Sequence, residues 1–562
     1  MPVPTVISSK FRFAGDLARA ADVARVLAKY GLAAWLADVD WDPIHNALRS
    51  EGGESLPSQP VEARLRLALT DLGTTFIKLG QMLSTRPDLV GQPLAAELSK
   101  LQQRTPPDAP DVATAVVERE LGRPVEEIFR QFEGDSLASA SIGQVHRARL
   151  KSGRRAVVKI QHPGIEGVIR RDLDILGFLA EIAEMNETLR RYQPVSLIRE
   201  FGRTILNELD FRRELRNLQV FRRNFAKDQT VVFPKPYPEL ASGRVLTMEY
   251  LRGSAVSDTK KLDKLDIDRQ ELARRGANVF VEMIFRDGFY HADPHPGNFL
   301  VLPDGKIGLL DAGMVGRIDE KFRRQIEDML MAAGDLDAVR LTDAVVRVCG
   351  IPPQLDRDAL SADLTELFQE YGTRSVGDFD VGGALTAVTD ILHEHKLILP
   401  SRLSMLIKCL ILLEGTGRLL SPKFSLAELL APWRKRVLWS RFSPEARLKN
   451  ARQLYVDFER MAETLPRVLS NVVDLLEAGK FVLRMEHRHL RSAANRLTVG
   501  ILVSAILLGS TILLAGAVKP TLWGISVPGV LGYTVALVVA LRVIWVNRDD
   551  MFSFIRRRDG WE

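Results

Sequence analysis

At 562 residues the chain is too long for a single hydrophobic core, and its 46% hydrophobic and 26% charged side chains exclude a disordered protein. Its two cysteines, Cys349 and Cys409, exclude a disulfide framework or a cysteine-rich zinc site and favour a reducing compartment. The net charge of +6 suits weak attraction to an anionic surface. We expect no nucleic-acid partner, because the sequence has neither a nucleic-acid module nor basic stretches interleaved with stacking aromatics.

The N-terminal part of the chain is predicted to be helical. Residues 1–12 lack the apolar core and cleavage site of a secretory signal. Apolar residues recur at three- and four-residue spacing from Lys10 to about Leu121, interrupted by a predicted loop from Glu51 to Pro60. Within the second helical stretch, "FIKLGQMLSTRPDL" places Lys78 and Gln81 on one face of a helix.

A small β-rich lobe is predicted to follow. The segment "SASIGQVHRARL", Ser139 to Leu150, the turn Ser152-Gly153 and "RAVVKI", Arg155 to Ile160, together predict a β-hairpin. A long helical region, Ile165 to Phe225, comes next. The stretch "RVLTMEYLRG", Arg244 to Gly253, then predicts a strand that ends at a glycine.

The second half of the chain is predicted to be mainly helical around one polar motif. A helix from about Arg269 to Asp287 leads to "YHADPHPGNFLVLPDGKIGLLDAG", Tyr290 to Gly313, in which "NFLVL", "PDGK" and "IGLLD" predict a second hairpin. Helical patterns then continue over Glu320 to Arg418 and about Pro444 to Arg496.

The C-terminal region contains two apolar segments that favour a membrane hairpin. Val499 to Val518 would span the roughly 30 Å of a bilayer core as a helix, and Ser526 to Val546 is a second candidate, interrupted by Pro528 and Arg542. Arginines flank both ends, which predicts a multi-pass hairpin in the cell inner membrane or plasma membrane with the rest of the chain cytoplasmic. A buried helical hairpin of a soluble protein is the alternative.

These patterns give the predicted domain boundaries. They are an N-terminal helical segment (1–60), a helical extension (61–125), an N-lobe (126–250), a C-lobe (251–430), a helical juxtamembrane region (431–496), the transmembrane hairpin (497–547) and a basic cytoplasmic tail (548–562).

The polar motif contains the residue types that phosphoryl transfer requires. Asp293 and Asn298 share one loop, and Asp311 follows the hairpin and precedes Ala-Gly. One carboxylate can orient the acceptor, while the amide and the second carboxylate hold Mg²⁺, in the order of the kinase signature. A zinc site built on His291 and His295 is the main alternative, but the prolines beside them make a regular helix improbable there.

Three upstream features fit the same chemistry. Lys159 ends a short strand, where the kinase lysine that binds the α- and β-phosphates is expected. Glu208, on a predicted helix, is a candidate partner for a lysine. The connection "MEYLRG" follows the strand, and the backbone of Glu249 and Tyr250 could bind adenine.

Five motifs in order identify a family resemblance. "FIKLGQMLSTRPDL", "LASASIGQVH", "NELDFRREL", "HADPHPGN" and "DAG" strongly resemble the UbiB family of atypical kinase-like proteins, over about Leu72 to Arg418. The resemblance implies an α+β, bilobal protein-kinase-like fold with an N-terminal helical extension and a C-terminal transmembrane hairpin. Two positions depart from expectation: Ala138-Ser139 replaces consecutive alanines, and Ala312 replaces the kinase phenylalanine of Asp-Phe-Gly.

The resemblance also implies roles for individual residues. It makes Asp293, Lys159 and Lys78 catalytic, and places Asn298 and Asp311 on Mg²⁺. The loop formed by Ala138, Ser139, Ala140 and Ser141 would lie over the ATP and restrain protein-kinase activity. Lys78 and Gln81 would reach into the site from the extension, and Glu208 and Asp210 would meet them or Lys159 as regulatory residues.

The predicted function is a membrane-anchored atypical kinase or ATPase. It would bind Mg-ATP and support isoprenoid quinone synthesis by ATP hydrolysis or small-molecule phosphorylation. The implied partners are a membrane lipid or prenylated quinone precursor, quinone biosynthesis enzymes and a second copy of the chain. The alternative is a pseudokinase-like lipid-binding or scaffold protein that nucleotide switches. A phosphotransferase of the antibiotic-kinase type would not explain "IKLGQ", and the extension disfavours a true protein kinase.

Overall fold

The computed structural model describes residues 14–32, 59–101, 105–263, 267–349, 355–372, 377, 379–433, 490–516, 520–522 and 525–546. The chain divides into two compact units, with the boundary after Arg447. The first unit contains the extension and two lobes, and the second contains the C-terminal helices.

The helical extension is fixed to the first lobe through a buried acid. Its helices are α1 (Ala14–Lys29), α2 (Val61–Leu72), α3 (Thr74–Ser84), α4 (Pro87–Val90) and α5 (Gln92–Leu98). The buried Asp172 carboxylate accepts hydrogen bonds from Thr75 Oγ1 of α3 at 2.5 Å and from Arg19 Nε of α1 at 2.8 Å. The predicted helical character is confirmed here, while most of the predicted loop from Glu51 lies outside the described residues.

The first lobe combines a sheet with long helices. Its elements are α6 (Pro110–Leu121), α7 (Val125–Ile128), β1 (Phe129–Ser139), β2 (Gly143–Leu150), β3 (Arg155–Gln161), α8 (Ile165–Met185), α9 (Glu187–Arg190), α10 (Pro194–Glu208), α11 (Phe211–Asn224), β5 (Pro236–Ala241) and β6 (Val245–Glu249). The short strands β4 (Val231–Val232) and β7 (Ser254–Ala255) pair with strands of the second lobe. Five strands form an antiparallel sheet in the order β1-β2-β3-β6-β5.

The predicted first hairpin is confirmed as β2 and β3. Along β2, Arg147 and Arg149 are exposed while Ala148 and Leu150 are buried, the alternation expected of a half-buried strand. The register sets Val145 opposite Lys159, near the C-terminal end of β3. Of strand β1, only its last residue, Ser139, was included in the predicted strands. The rest of β1 was missed because its sequence is polar and it pairs with β2 irregularly, with several register shifts.

The helical region predicted from Ile165 to Phe225 is confirmed, and the structure divides it into the four helices α8 to α11. Pro194 starts α10 at a position where its missing N–H costs no hydrogen bond. A break at Asp210 separates α10 from α11. The Asp210 side chain accepts the Arg212 N–H at 3.2 Å and caps α11.

The second lobe holds the predicted polar motif. Its elements are α12 (Thr259–Asp263), α13 (Arg269–Glu282), a π-helical turn (Met283–Asp287), β8 (Phe289–His291), a 3₁₀ turn (Pro296–Asn298), β9 (Phe299–Val301), β10 (Ile307–Leu309), β11 (Val315–Arg317), α14 (Glu320–Gly334), α15 (Ala338–Cys349), α16 (Arg357–Gly372), α17 (Val381–Glu394) and α18 (Ser401–Leu420). The predicted second hairpin is confirmed by the antiparallel pairing of β9 with β10. Its turn contains Gly305 at φ +76°, where glycine is favoured.

The second unit is a helical hairpin. Helices α19 (Leu490–Ala515) and α20 (Val527–Val546) flank the short strands β12 (Thr521–Leu522) and β13 (Ile525–Ser526). The two helices approach closely at Gly532, where a side chain would collide with Ser510 Oγ. Beside this contact, Thr511 Oγ1 lies 2.8 Å from the Tyr533 hydroxyl oxygen and the two form a hydrogen bond. Over the described residues, no helix has both the length and the apolarity needed to cross a bilayer, so the transmembrane assignment stays a prediction.

Candidate active site

The loop after β8 is held by a neutral histidine. Nδ1 of His291 accepts the Asp293 N–H at 3.1 Å, so Nε2 carries the proton and donates to the Asp311 carbonyl oxygen. Burial lowers the pKa of His291, which agrees with a neutral ring. His291 therefore joins the loop of Asp293 to the segment of Asp311, and both of its nitrogens are occupied by hydrogen bonds rather than by a metal.

Asp293 and Asn298 lie side by side in this loop. Asn298 Nδ2 donates to the Asp293 backbone oxygen at 3.1 Å and lies 3.4 Å from its carboxylate Oδ2. The turn that sets this distance is capped by His295, whose Nδ1 accepts the Gly297 N–H. With the Asn298 nitrogen used in this way, its side-chain oxygen can face a cation.

Asp311 follows β10 and faces the same cleft. Its Oδ1 accepts the Gly313 N–H at 2.6 Å, and its Oδ2 lies 3.8 Å from Lys159 Nζ. Desolvation alone would raise the pKa of Asp311, but Lys159 and the Gly313 amide hold it below its usual range. The carboxylate is therefore charged at neutral pH.

The oxygens of Asn298 and Asp311 suit Mg²⁺, a hard cation that prefers oxygen ligands. Within the described ranges no group of three or more His, Cys, Asp or Glu residues forms a metal cluster. A Mg²⁺ ion held here would complete its coordination with nucleotide phosphates and water, as is usual for this ion.

Lys159 forms a buried ion pair with Glu214. Its Nζ lies 2.7 Å from Glu214 Oε2, and the two side chains are 23% and 5% exposed. Desolvation alone would lower the pKa of Lys159, but Asp311 and Glu214 raise it above its usual value. Burial raises the pKa of Glu214, against the effect of the lysine. The ammonium is thus fixed beside Asp311.

The alanine-rich loop, Ala138 to Ser141, includes the end of β1 and leads into β2. His162 Nε2 lies 2.8 Å from the Ala140 carbonyl, and its Nδ1 lies 2.7 Å from the Asp108 carboxylate. The Ser141 carbonyl accepts a hydrogen bond from Thr74 of the extension at 3.3 Å. The loop is therefore held from both sides.

The far end of the extension reaches the second lobe. Arg86 donates to the Leu399 carbonyl at 2.8 Å, and the Leu399 N–H donates to the Asp88 carboxylate at 3.0 Å. Arg86 and Asp88 also pair at 2.8 Å and are buried, and His393 Nδ1 bonds to the Asp88 carbonyl at 2.9 Å. We call these four residues the latch.

Comparisons with known proteins match this chain to one family. Family models match the ABC1 atypical kinase-like domain at residues 100–345, the UbiB helical domain at 364–425 and the ABC1/UbiB kinase-like C-terminal domain at 483–546. A "Probable protein kinase UbiB" from Pseudomonas entomophila is 35% identical over 488 residues, which cover 83% of this chain and 88% of the relative. The chain belongs to the UbiB family. The Pseudomonas putida protein of the same name is 34% identical over 481 residues, which cover 83% and 87%.

The UbiB family assignment agrees with the kinase-like fold predicted from the motifs. A solved complex of Rv3197 with erythromycin from Mycobacterium tuberculosis aligns with a TM-score of 0.40 and 24% identity, covering 62% of this chain and 90% of that chain. That likeness is too low to support an argument about function.

Within this UbiB-family site, the lysines have separate partners. Lys78 Nζ lies 2.9 Å from Glu208 Oε2, so Glu208 pairs with the extension rather than with Lys159. Glu214, which pairs with Lys159, was missed. A signal for it existed: on α11 it shares the buried face of Phe211, Leu215 and Leu218, where an acid is unexpected unless it has a partner.

Four further predicted residues have contacts that the sequence did not indicate. Asp210 caps α11 and pairs with Arg212 at 2.7 Å. Gln81 donates to the Leu101 carbonyl at 3.1 Å, within the extension. The N–H groups of Glu249 and Tyr250 donate to the carbonyls of Lys235 and Arg155. An adenine could therefore use the carbonyls of this connection but not these two amides.

Proposed function

We propose that this chain is an ATP-dependent phosphotransferase or ATPase of the atypical kinase class. The observation that carries the proposal is the Lys159 and Glu214 pair, which sets a partly buried ammonium 3.8 Å from the Asp311 carboxylate. A lysine fixed by a glutamate beside a metal-binding aspartate is the arrangement that kinases use to position ATP. The name given to the Pseudomonas relatives supports the same class.

Each residue then has a part in the reaction. Lys159 would bind the α- and β-phosphates, and Asn298 with Asp311 would hold Mg²⁺, which neutralises phosphate charge when bound. Asp293 would accept a hydrogen bond from the attacking hydroxyl or water and orient it. The loop Ala138 to Ser141 would cover the nucleotide. Lys78, through its pair with Glu208, would regulate access from the extension.

The acceptor we propose is a small molecule or water. The extension is fastened to both lobes, by Thr75 with Asp172 on one side and by the latch on the other. A folded protein substrate would need that surface to be open. Membership of the UbiB family supports a role in ubiquinone synthesis, with a prenylated precursor or membrane lipid as the ligand and quinone biosynthesis enzymes as partners.

The isoprenoid quinone pool tests this proposal. We expect cells that lack the protein to lose quinone, as measured by extraction and mass spectrometry. The native chain should restore the quinone pool, and the Asp311→Asn chain should not. Asp304→Asn serves as the matched control, because Asp304 lies in an exposed turn and pairs with Lys306. An unchanged quinone pool in the deletion strain would contradict a role in this synthesis.

A nucleotide-switched scaffold is the second candidate. The contacts that fasten the extension favour it, because they restrict access to the cleft. In that case nucleotide binding would matter but turnover would not. Restoration of the quinone pool by an Asp311→Asn chain that binds ATP and lacks turnover would support the scaffold and contradict the enzyme.

We also propose that the α19 and α20 hairpin attaches the chain to a membrane. Its leucines support this: Leu508 is 67% exposed and Leu537 is 60% exposed within the unit. Leu508→Arg with Leu537→Arg should move the protein from carbonate-washed membranes to the supernatant, because each arginine costs about 3 kcal/mol in hydrocarbon. Val339→Arg, also at an exposed position, is the control. Retention of the double variant in washed membranes would argue against the hairpin as anchor.

A further inference from the structure

Lys408 lies beside the predicted catalytic aspartate, although it belongs to none of the motifs. It is carried by α18, and its Nζ lies 3.7 Å from Asp293 Oδ1. Its side chain is 26% exposed, and it interrupts the apolar run "SMLIKCLILL". A lysine in such a run requires a specific partner, because a buried ammonium is otherwise unfavourable.

Helix α18 is held in a fixed position under the loop. Cys409 Sγ lies 3.4 Å from the His291 carbonyl, and Thr416 Oγ1 donates to the Pro294 carbonyl at 2.9 Å. These contacts lie on either side of Asp293 in the loop. Lys408, next to Cys409, is therefore directed at the aspartate by a rigid helix rather than by a mobile segment.

Lys408 differs from the other two lysines of the cleft. Lys78 and Lys159 lie 2.9 and 2.7 Å from their glutamates. Lys408 has Asp293 as its single ion-pair partner in the part of the chain that the structure describes, and 3.7 Å is longer than a direct hydrogen bond. Its ammonium can thus approach a second anion without breaking a tight pair.

The loop that carries the aspartate has no permanent cation of its own. From Asp293 to Asn298 its sequence is Asp-Pro-His-Pro-Gly-Asn. Phosphoryl transfer spreads negative charge over the equatorial oxygens of the transferred group, and cations placed there stabilise the transition state. In the proposed function Lys159 serves the α- and β-phosphates and Mg²⁺ neutralises phosphate charge, and Lys408 adds a positive charge on the side of Asp293.

We propose that Lys408 binds the γ-phosphoryl group of ATP, an inference that rests on the proposed function. The nucleophile's oxygen forms a bond to the γ-phosphorus as the bond to the β,γ-bridging oxygen breaks. That oxygen keeps the electron pair and leaves with ADP, while the nucleophile's proton passes to Asp293 and then to water. Lys408 donates a hydrogen bond to an oxygen of the transferred group.

The test compares ligands with and without the γ-phosphate. Binding of ADP and of the non-hydrolysable β,γ-imido analogue of ATP is measured by calorimetry on the full chain, together with ATP turnover. Lys408→Met should weaken the analogue about 10-fold relative to ADP, because one charge-assisted hydrogen bond is lost. Turnover should fall by about 100-fold. Lys408→Arg should keep most of the preference for the analogue, because it keeps the charge.

Arg402→Met is the matched control. Arg402 lies on the same helix, pairs with Asp319 at 2.7 Å and is 65% exposed, so its loss should leave the ratio of the two affinities unchanged. An equal effect of Lys408→Met on both ligands, or no effect on either, would overturn the assignment. If Lys408→Met does not fold, the affinity ratio measured with Lys408→Gln decides, because glutamine removes the charge.

The two proposals fail in different ways. A native chain that prefers the analogue to ADP but shows no turnover would contradict the phosphotransferase, while loss of that preference in Lys408→Met would still support γ-phosphate binding. A native chain with turnover and an unchanged affinity ratio in Lys408→Met would overturn the assignment of Lys408 alone.

Discussion

Asp311→Asn should abolish Mg²⁺-dependent ATP turnover in the purified chain. The asparagine can still accept the Gly313 N–H, so the local backbone should persist, but the negative charge opposite Lys159 is lost. Loss of a residue that only supports a metal ligand can lower metal affinity by about 100-fold. Loss of the ligand itself should lower it at least as much, so we expect the Mg²⁺ affinity of Asp311→Asn to fall by about 100-fold or more. The measurement is Mg²⁺ titration of nucleotide binding, followed by a turnover assay.

The pH dependence of this variant gives a second readout. The pKa of Asp311 is below its usual value in the folded chain, so its charge contributes stability above the unfolded pKa. That contribution is lost as pH falls through the folded pKa. The stability difference between the native chain and Asp311→Asn should therefore shrink in acid. Asp304→Asn should match the native chain in Mg²⁺ affinity and turnover, and Mg²⁺-dependent turnover by Asp311→Asn would rule out Asp311 as the ligand.

Glu214→Gln should destabilise the fold and weaken nucleotide binding. Removing one member of a fully buried ion pair typically costs about 3 to 5 kcal/mol, and we expect a smaller loss here because Lys159 is 23% exposed. Lys159 would keep Asp311 as a neighbour at 3.8 Å but lose the contact at 2.7 Å that fixes its direction. Thermal denaturation and ATP affinity measure the two effects.

Glu208→Gln separates the second pair from the first. It should free Lys78 and make the extension easier to cleave by limited proteolysis, with a smaller loss of thermal stability than Glu214→Gln. Glu320→Gln breaks an exposed pair with Arg324 and should change stability by less than about 0.5 kcal/mol. Equal losses of ATP affinity in Glu208→Gln and Glu214→Gln would contradict the division of roles proposed for the two glutamates.

Local patterns were sufficient for the hairpins and for the loop of the site. The β2 and β3 hairpin follows from alternating burial and a turn glycine, and the β9 and β10 hairpin from the turn at Gly305. Asp293 and Asn298 could be placed together because they share one short loop. Each of these features depends on residues close in sequence.

Contacts between distant residues could not be predicted in the same way. Glu208 and Glu214 are both in the motif "NELDFRREL", and the choice between them depends on a helix break at Asp210. That break is supported by the Phe211 N–H, which donates to the Gly243 carbonyl from another part of the chain. Lys408 is placed by the packing of α18, which no pattern near Asp293 indicates.

The latch constrains how the cleft can open. In many two-lobed enzymes a short connection acts as the hinge, and here that connection follows β6. The extension adds a second bridge, because α3 is tied to the first lobe at Asp172 and Arg86 with Asp88 is tied to the second at Leu399. Because the two lobes are joined at two places, they cannot rotate apart about one connection alone. For the proposed enzyme we therefore expect nucleotide exchange to require these contacts of the latch to break.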